Sequence, residues 1–199
     1  MNSEQNASAV ISIPDILACP HIPEALKCAG WTVQTATQDD QTAAASIALI
    51  VACGETGAPK GDGNQLIAAL IDKAKVAAFP TDLLIDRNQS VAQIAKMLSL
   101  WLLPDTSSLT RMVEMFGQQD FLPVVRGLYG ELDRALAIAE KGDRPDAHRL
   151  AGLTGTLGFA AASAAWQVVD QSGCEMQTAL RNSKTTMVAI HRWLQGMES

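Results

Sequence analysis

Asp143 to Asp170 reads DRPDAHRLAGLTGTLGFAAASAAWQVVD, and its spacing decides how the second half of the chain folds. Leu150, Leu153 and Leu157 recur at three- and four-residue steps, the period that lines one face of an α-helix with apolar side chains. His148, Gly152 and Gly155 fall on a different stripe, so the histidine is expected to face outward with two glycines beside it. A glycine inside a helix costs up to about 1 kcal/mol relative to alanine, and two within a turn of each other do nothing for helix building. They leave room for another surface to approach the imidazole. Asp143 reads as the cap of this helix and Pro145 as a first-turn residue whose missing amide has no intrahelical partner anyway. Asp146 adds negative charge near the positive end of the dipole.

Helical spacing continues on both sides. Ser108 to Phe116 forms a short lead-in, and Asp120 to Lys141 carries Phe121, Val124, Val125, Leu128, Leu132, Leu136 and Ala139 in register, with Gly142 as its stop. Beyond the histidine, Ala160 to Gln171 buries Trp166 and Val169, and Cys174 to Gln195 brings Met176, Leu180, Met187, Ile190 and Leu194 to the core. Short loops make neighbouring helices antiparallel, which predicts a four-helix bundle plus the lead-in helix.

Ala147-His148-Arg149-Leu150-Ala151-Gly152 followed by Leu157-Gly158 resembles the histidine phosphotransfer (HPt) family, whose motif runs A-H-x-L-K-G-x-x-x-x-L-G. The resemblance spans about the C-terminal half of the chain. It implies that His148 is a phosphoacceptor and that Gly152, with Arg149, Ala151 and Gly155, belongs to the face on which a partner docks. The implied partners are receiver domains of response regulators or hybrid histidine kinases, which bring their own Mg²⁺. Ala151 stands where the family carries lysine. Arg149 offers a positive charge nearby but projects in a different direction. An imidazole suits reversible phosphoryl carriage because it is largely neutral and nucleophilic at cellular pH. No nucleotide-binding motif accompanies the histidine, so a carrier rather than an ATP-dependent kinase is expected.

Ahead of Asp105 the pattern changes. AVISI (9–13), TVQTA (32–36), IALIVAC (47–53) and KVAAFP (75–80) are β-rich runs, alternating with helical ones at 23–29, 40–46, 65–73 and 90–102. Such alternation predicts a short parallel sheet with helical crossovers. The layout resembles a degenerate response-regulator receiver domain. A phosphorylatable receiver would carry an acidic pair after its first strand, an aspartate ending its third and a lysine after its fifth. Here those places show Pro14-Asp15, Cys53-Gly54 and no convincing fifth strand, while Thr81 sits where the switch hydroxyl would be. No acyl-phosphate chemistry is expected in this half. Leu103-Pro104-Asp105-Thr106-Ser107 marks the boundary, giving an α/β domain over 1–104 and an all-α domain over 105–199.

The bulk properties set limits on function. The chain is 48% hydrophobic and 18% charged, ordinary for one or two globular domains. Up to Asp105 there are 6 basic against 11 acidic residues, and beyond it 9 against 10. Neither half offers the positive footprint that displaces phosphate counterions, so no nucleic-acid partner is expected. MNSEQNASAV lacks a secretory pattern and no apolar run is long enough for a membrane span, which implies a cytoplasmic protein without a membrane partner. Cys19-x-His21 with Cys28 lacks a fourth ligand for structural zinc. His21 and His191 are expected as solvated side chains.

Two other readings compete. A non-catalytic module could bind or sequester a receiver or kinase without transfer, which Ala151 and the degenerate first half favour. The dimerising part of a split histidine kinase would need a symmetric helical hairpin, which the five-helix layout argues against.

Overall fold

Short apolar and β-branched runs build the sheet of the first half. The computed structural model describes residues 8–12, 19–36, 48–53, 64–72 and 80–198, and the chain divides into two units, Met1–Leu102 and Leu103–Ser199. In the first unit, β1 (Ser8–Ser12), β2 (Thr32–Ala36), β3 (Leu49–Cys53), β4 (Leu66–Ile71) and β5 (Leu83–Asp86) pair in parallel in the order β2-β1-β3-β4-β5. The order reverses between β1 and β3, and ligands of open parallel sheets bind beyond the carboxyl ends of strands at such a point. The segments that follow β1 and β3, with Asp15 and Gly54, lie outside the described residues. Helix α1 (Ile22–Cys28) packs on α2 (Val91–Ser99), burying Ile22, Leu26, Ile94 and Leu98. The Trp31 indole N–H donates to the Leu98 carbonyl at 3.3 Å.

Three expectations for this unit are corrected. Residues 65–73 were expected as a helix, but Leu66–Ile71 is strand β4, buried nearly throughout between β3 and β5. A six-residue apolar run covered on both faces has no period to read, and its alanines suggest helix although its position in a parallel sheet demands a strand. A fifth strand also exists. Leu83 and Ile85 are buried and Leu84 exposed, the alternation of a half-covered edge strand. Thr81 precedes β5 and donates to the Leu83 carbonyl at 2.9 Å. It therefore sits at the amino end of the strand, away from the carboxyl edge where a switch hydroxyl would act. After β5 comes Arg87, paired with Asp72 at 3.2 Å. The expected strand 75–80 falls almost wholly outside the described residues, and the expected helix 40–46 wholly so.

The second unit is helical: α3 (Ser107–Phe116), α4 (Gln118–Glu140), α5 (Ala147–Thr156), α6 (Ala160–Ser172) and α7 (Met176–Glu198). Helix α5 packs on α6, α6 on α7, α7 on α4 and α4 back on α5, while α3 lies against α4. One core joins them, with Leu109, Phe121, Val125, Leu128, Leu132, Leu150, Phe159, Trp166, Met187, Ile190 and Trp193 buried together. No described helix is long and apolar enough to cross a membrane.

The helix ends explain one further correction. The Asp143 amide donates to Ile138 O and the Gly142 amide to Ala139 O, with Gly142 at φ +82°. These are the paired bonds of a Schellman stop, in which glycine takes the left-handed position. Asp143 therefore belongs to the end of α4. The N-cap of α5 is Asp146, whose carboxylate accepts from the Arg149 amide at 3.1 Å. The same stop recurs after α5: Phe159 N bonds Thr154 O, Gly158 N bonds Gly155 O, and Phe159 is buried. Leu157-Gly158 thus has a structural duty, the closing of α5 and its turn into α6.

Candidate functional site

Helix α5 carries the candidate residues, and their fates differ. His148 projects from its first turn with a side chain 89% exposed. Its Nδ1 lies 3.0 Å from Asp170 Oδ2, in the last turn of α6. Nε2 has no hydrogen-bond partner among the described residues, and a ring this exposed leaves it open to solvent. An ionised carboxylate can only accept hydrogen bonds, so a hydrogen bond across this contact has Nδ1 as its donor.

The flanking positions do not form one surface. Ala151 is 6% exposed, turned into the core beside Leu150, so this expected docking residue presents no surface. Arg149 is exposed and pairs with Glu131 of α4 at 3.0 Å. Glu131 also pairs with Arg134. The Arg149 guanidinium is thus engaged by α4.

The two glycines differ in kind. A Cβ on Gly152 would meet nothing within 4 Å, whereas a Cβ on Gly155 would come within 2.9 Å of Ser163 Oγ on α6. That hydroxyl is itself committed, donating to the Ala151 carbonyl at 2.8 Å. Gly152 leaves open space one turn from His148. Gly155 lets α5 and α6 approach closely and holds the relative placement of His148 and Asp170. Gly152→Ala is accordingly expected to raise stability by up to about 1 kcal/mol through helix propensity. Gly155→Ala is expected to lower it, because Ser163 must move or give up its bond. Paired chemical denaturation of the two variants checks this, and equal shifts of the same sign would remove the packing role assigned to Gly155.

His21 and His191 are half-buried rather than solvated, and the Nε2 of each is shut off from solvent without a hydrogen-bond partner. Among the described residues no three of histidine, cysteine, aspartate and glutamate come together as metal ligands. Asp105 sits at the entry to α3, where the Ser107 hydroxyl and then its amide hold the carboxyl below the usual aspartate range. That is a helix-start interaction, not site chemistry.

Asp170 is the residue that sequence reasoning missed. A signal was present. An acid in the last turn of a helix faces the negative end of its dipole, which is unfavourable by about 0.3–1 kcal/mol. Asp170 lies 22 residues after His148, and only the fold brings the two together.

No family model matches this chain, and neither a curated protein nor a solved structure matches it.

Proposed function

We propose that the chain is a histidine-containing phosphotransfer protein of a two-component relay, carrying a phosphoryl group on His148 to and from aspartates of receiver domains. The observation that carries this reading is the His148 imidazole itself, exposed and held through Nδ1 with Nε2 open, beside the bare backbone of Gly152. A phosphoacceptor needs a neutral nitrogen lone pair that a partner's active site can reach, and little else from its own chain. The partner supplies the aspartyl phosphate, the Mg²⁺ and the electrostatic stabilisation of the transferring group. The ring of packing from α4 through α7 supports reading these helices as an HPt-like four-helix bundle with α3 as its lead-in. Such a carrier works in the cytoplasm, alongside receivers. It has no ATP-dependent activity of its own.

For the first unit the reading is a receiver-like scaffold without acyl-phosphate chemistry. Strand β3 ends on Cys53, at the place where a phosphorylatable receiver has its aspartate.

The alternative, a module that binds a receiver or kinase without transfer, draws support from Ala151: a buried alanine leaves no cation three residues after the histidine. Gly152→Gln separates the two. The position is exposed and open, so the helix tolerates the side chain, yet it fills the space through which a receiver's active-site rim must come. Transfer is expected to fall at least about tenfold, equivalent to about 1.4 kcal/mol, with helicity and melting unchanged. Weakened binding by a protein that never transferred would favour the module. Transfer at the unsubstituted rate would move the docking face elsewhere.

A further inference from the structure

We propose that Asp170 is a positioning residue for His148: it holds the proton on Nδ1, so that Nε2 is the nucleophile, and it balances the charge the ring acquires when phosphorylated. The proposal rests on the phosphotransfer reading for its consequence, but its first element concerns the resting protein and stands on geometry. The carboxylate is 3.0 Å from Nδ1, and among the described residues the imidazole is its only hydrogen-bond or ion-pair partner. It caps no helix end. It sits in the last turn of α6, against the dipole. A residue placed at an electrostatic disadvantage, half-exposed and serving no other group, is accounted for by what it does to the ring.

In a neutral imidazole the nitrogen that meets a hydrogen-bond acceptor keeps the proton, and the other nitrogen is left with the lone pair. With nothing at Nδ1, a neutral histidine side chain favours the proton on Nε2, which removes the lone pair from the more accessible nitrogen. The Asp170 carboxylate reverses that preference.

The chemistry then balances without a free proton. The Nε2 lone pair attacks phosphorus of the partner's aspartyl phosphate. The N–P bond forms as the P–O bond breaks, and the electron pair of the broken bond leaves on the partner's carboxylate. The Nδ1 proton stays where it is, so the phosphorylated ring is an imidazolium whose positive charge lies against Asp170. A ring that keeps this proton is also the better leaving group when the phosphoryl group moves on. Asp170 thus serves both directions of a relay. The other charged groups on the neighbouring segments are Asp146, the N-cap of α5, Arg149 on α5, Glu131 on α4, which pairs with Arg149, and Arg144 in the loop before α5. Arg144 lies over the C-terminal end of α6, where a Cβ on Gly173 would be 3.4 Å from its Nη1. Asp170 alone bonds Nδ1.

The test uses the full chain labelled with ¹⁵N-histidine, the unsubstituted protein against Asp170→Ala, with His148→Gln to assign the ring signals. Long-range ¹H–¹⁵N spectra report the tautomer, and phosphoramidate, a small donor that needs no receiver, reports the rate and position of phosphorylation. The expected result is an Nδ1-protonated ring that is phosphorylated on Nε2. In Asp170→Ala the proton moves to Nε2, and phosphorylation slows by about tenfold, the scale of one hydrogen bond to a charged group. Melting should hold, because Asp170 is 41% exposed. An Nε2-protonated ring in the unsubstituted protein, or the same tautomer and rate in Asp170→Ala, overturns the proposal. If the tautomer and phosphoramidate results come out as expected while no phosphorylated receiver labels the protein, the relay reading fails and the role of Asp170 stands. If receivers label both proteins equally on Nε2, the relay stands and Asp170 has no such role.

Discussion

His148→Gln abolishes phosphoryl labelling by a cognate phosphorylated receiver and leaves the fold intact: that is the first expected result, and the largest in its effect on activity. Glutamine keeps a polar side chain of similar reach but offers no nitrogen lone pair, since its amide nitrogen is conjugated with the carbonyl. The loss is therefore of chemistry rather than degree. Because the imidazole is so exposed, its removal costs little packing, and surface changes of this kind usually stay within about 0.5 kcal/mol. The Asp170 carboxylate loses its partner but remains hydrated. Circular dichroism and thermal melting of the substituted protein check the second half of the expectation, and residual label would have to be located on another residue by peptide mapping. Label retained in full would remove His148 from the account.

The second large effect is on stability. Trp166 lies at the centre of the helical unit with 0% exposure, and its indole N–H donates to Ser183 Oγ at 2.9 Å. Ser183, on α7, is also fully buried. Trp166→Ala opens a cavity and strands that hydroxyl. Large-to-small changes of this kind cost about 3–5 kcal/mol, and an unsatisfied buried group adds about 1–3 kcal/mol. For a helical unit of this size the midpoint should fall by more than about 10 °C. Trp166→Phe separates the contributions, since it keeps most of the apolar volume and loses only the hydrogen bond and part of the ring. A loss near 1–3 kcal/mol is expected there. If Trp166→Ala melted like the unsubstituted protein, this core would not be what joins α6 to α7. His148 and Asp170 would then owe their placement to other contacts.

The helical half was largely legible because its evidence is periodic. Apolar residues at helical steps, with Gly142 as a stop, place α4, α5 and α6 to within a few residues. What misled was chemistry that two elements can both use. Asp143 has the right composition for an N-cap, but the turn made by Gly142 draws its amide into closing α4, which leaves Asp146 to start α5. Leu66–Ile71 misled for the opposite reason: its residues are so uniformly apolar that only the sheet around them determines their conformation. Gly152 and Gly155 look alike in sequence and differ in structure, since the closeness of Ser163 is a property of two helices together. The link from His148 to Asp170 is tertiary as well. No spacing rule connects residues 22 positions apart on separate antiparallel helices, although the acid at the wrong end of the α6 dipole was visible.

The phosphotransfer proposed for His148 draws its phosphoryl group from an aspartate of another protein. The measurement that meets it most directly is incubation of the full chain with a panel of ³²P-phosphorylated receiver domains and Mg²⁺, followed by acid and alkali treatment of the labelled chain. The expected label is one that acid removes and alkali spares, as for a phosphoramidate, confined to the peptide containing His148 and absent from His148→Gln. A chain that binds a receiver tightly yet takes no label from any of them would contradict it.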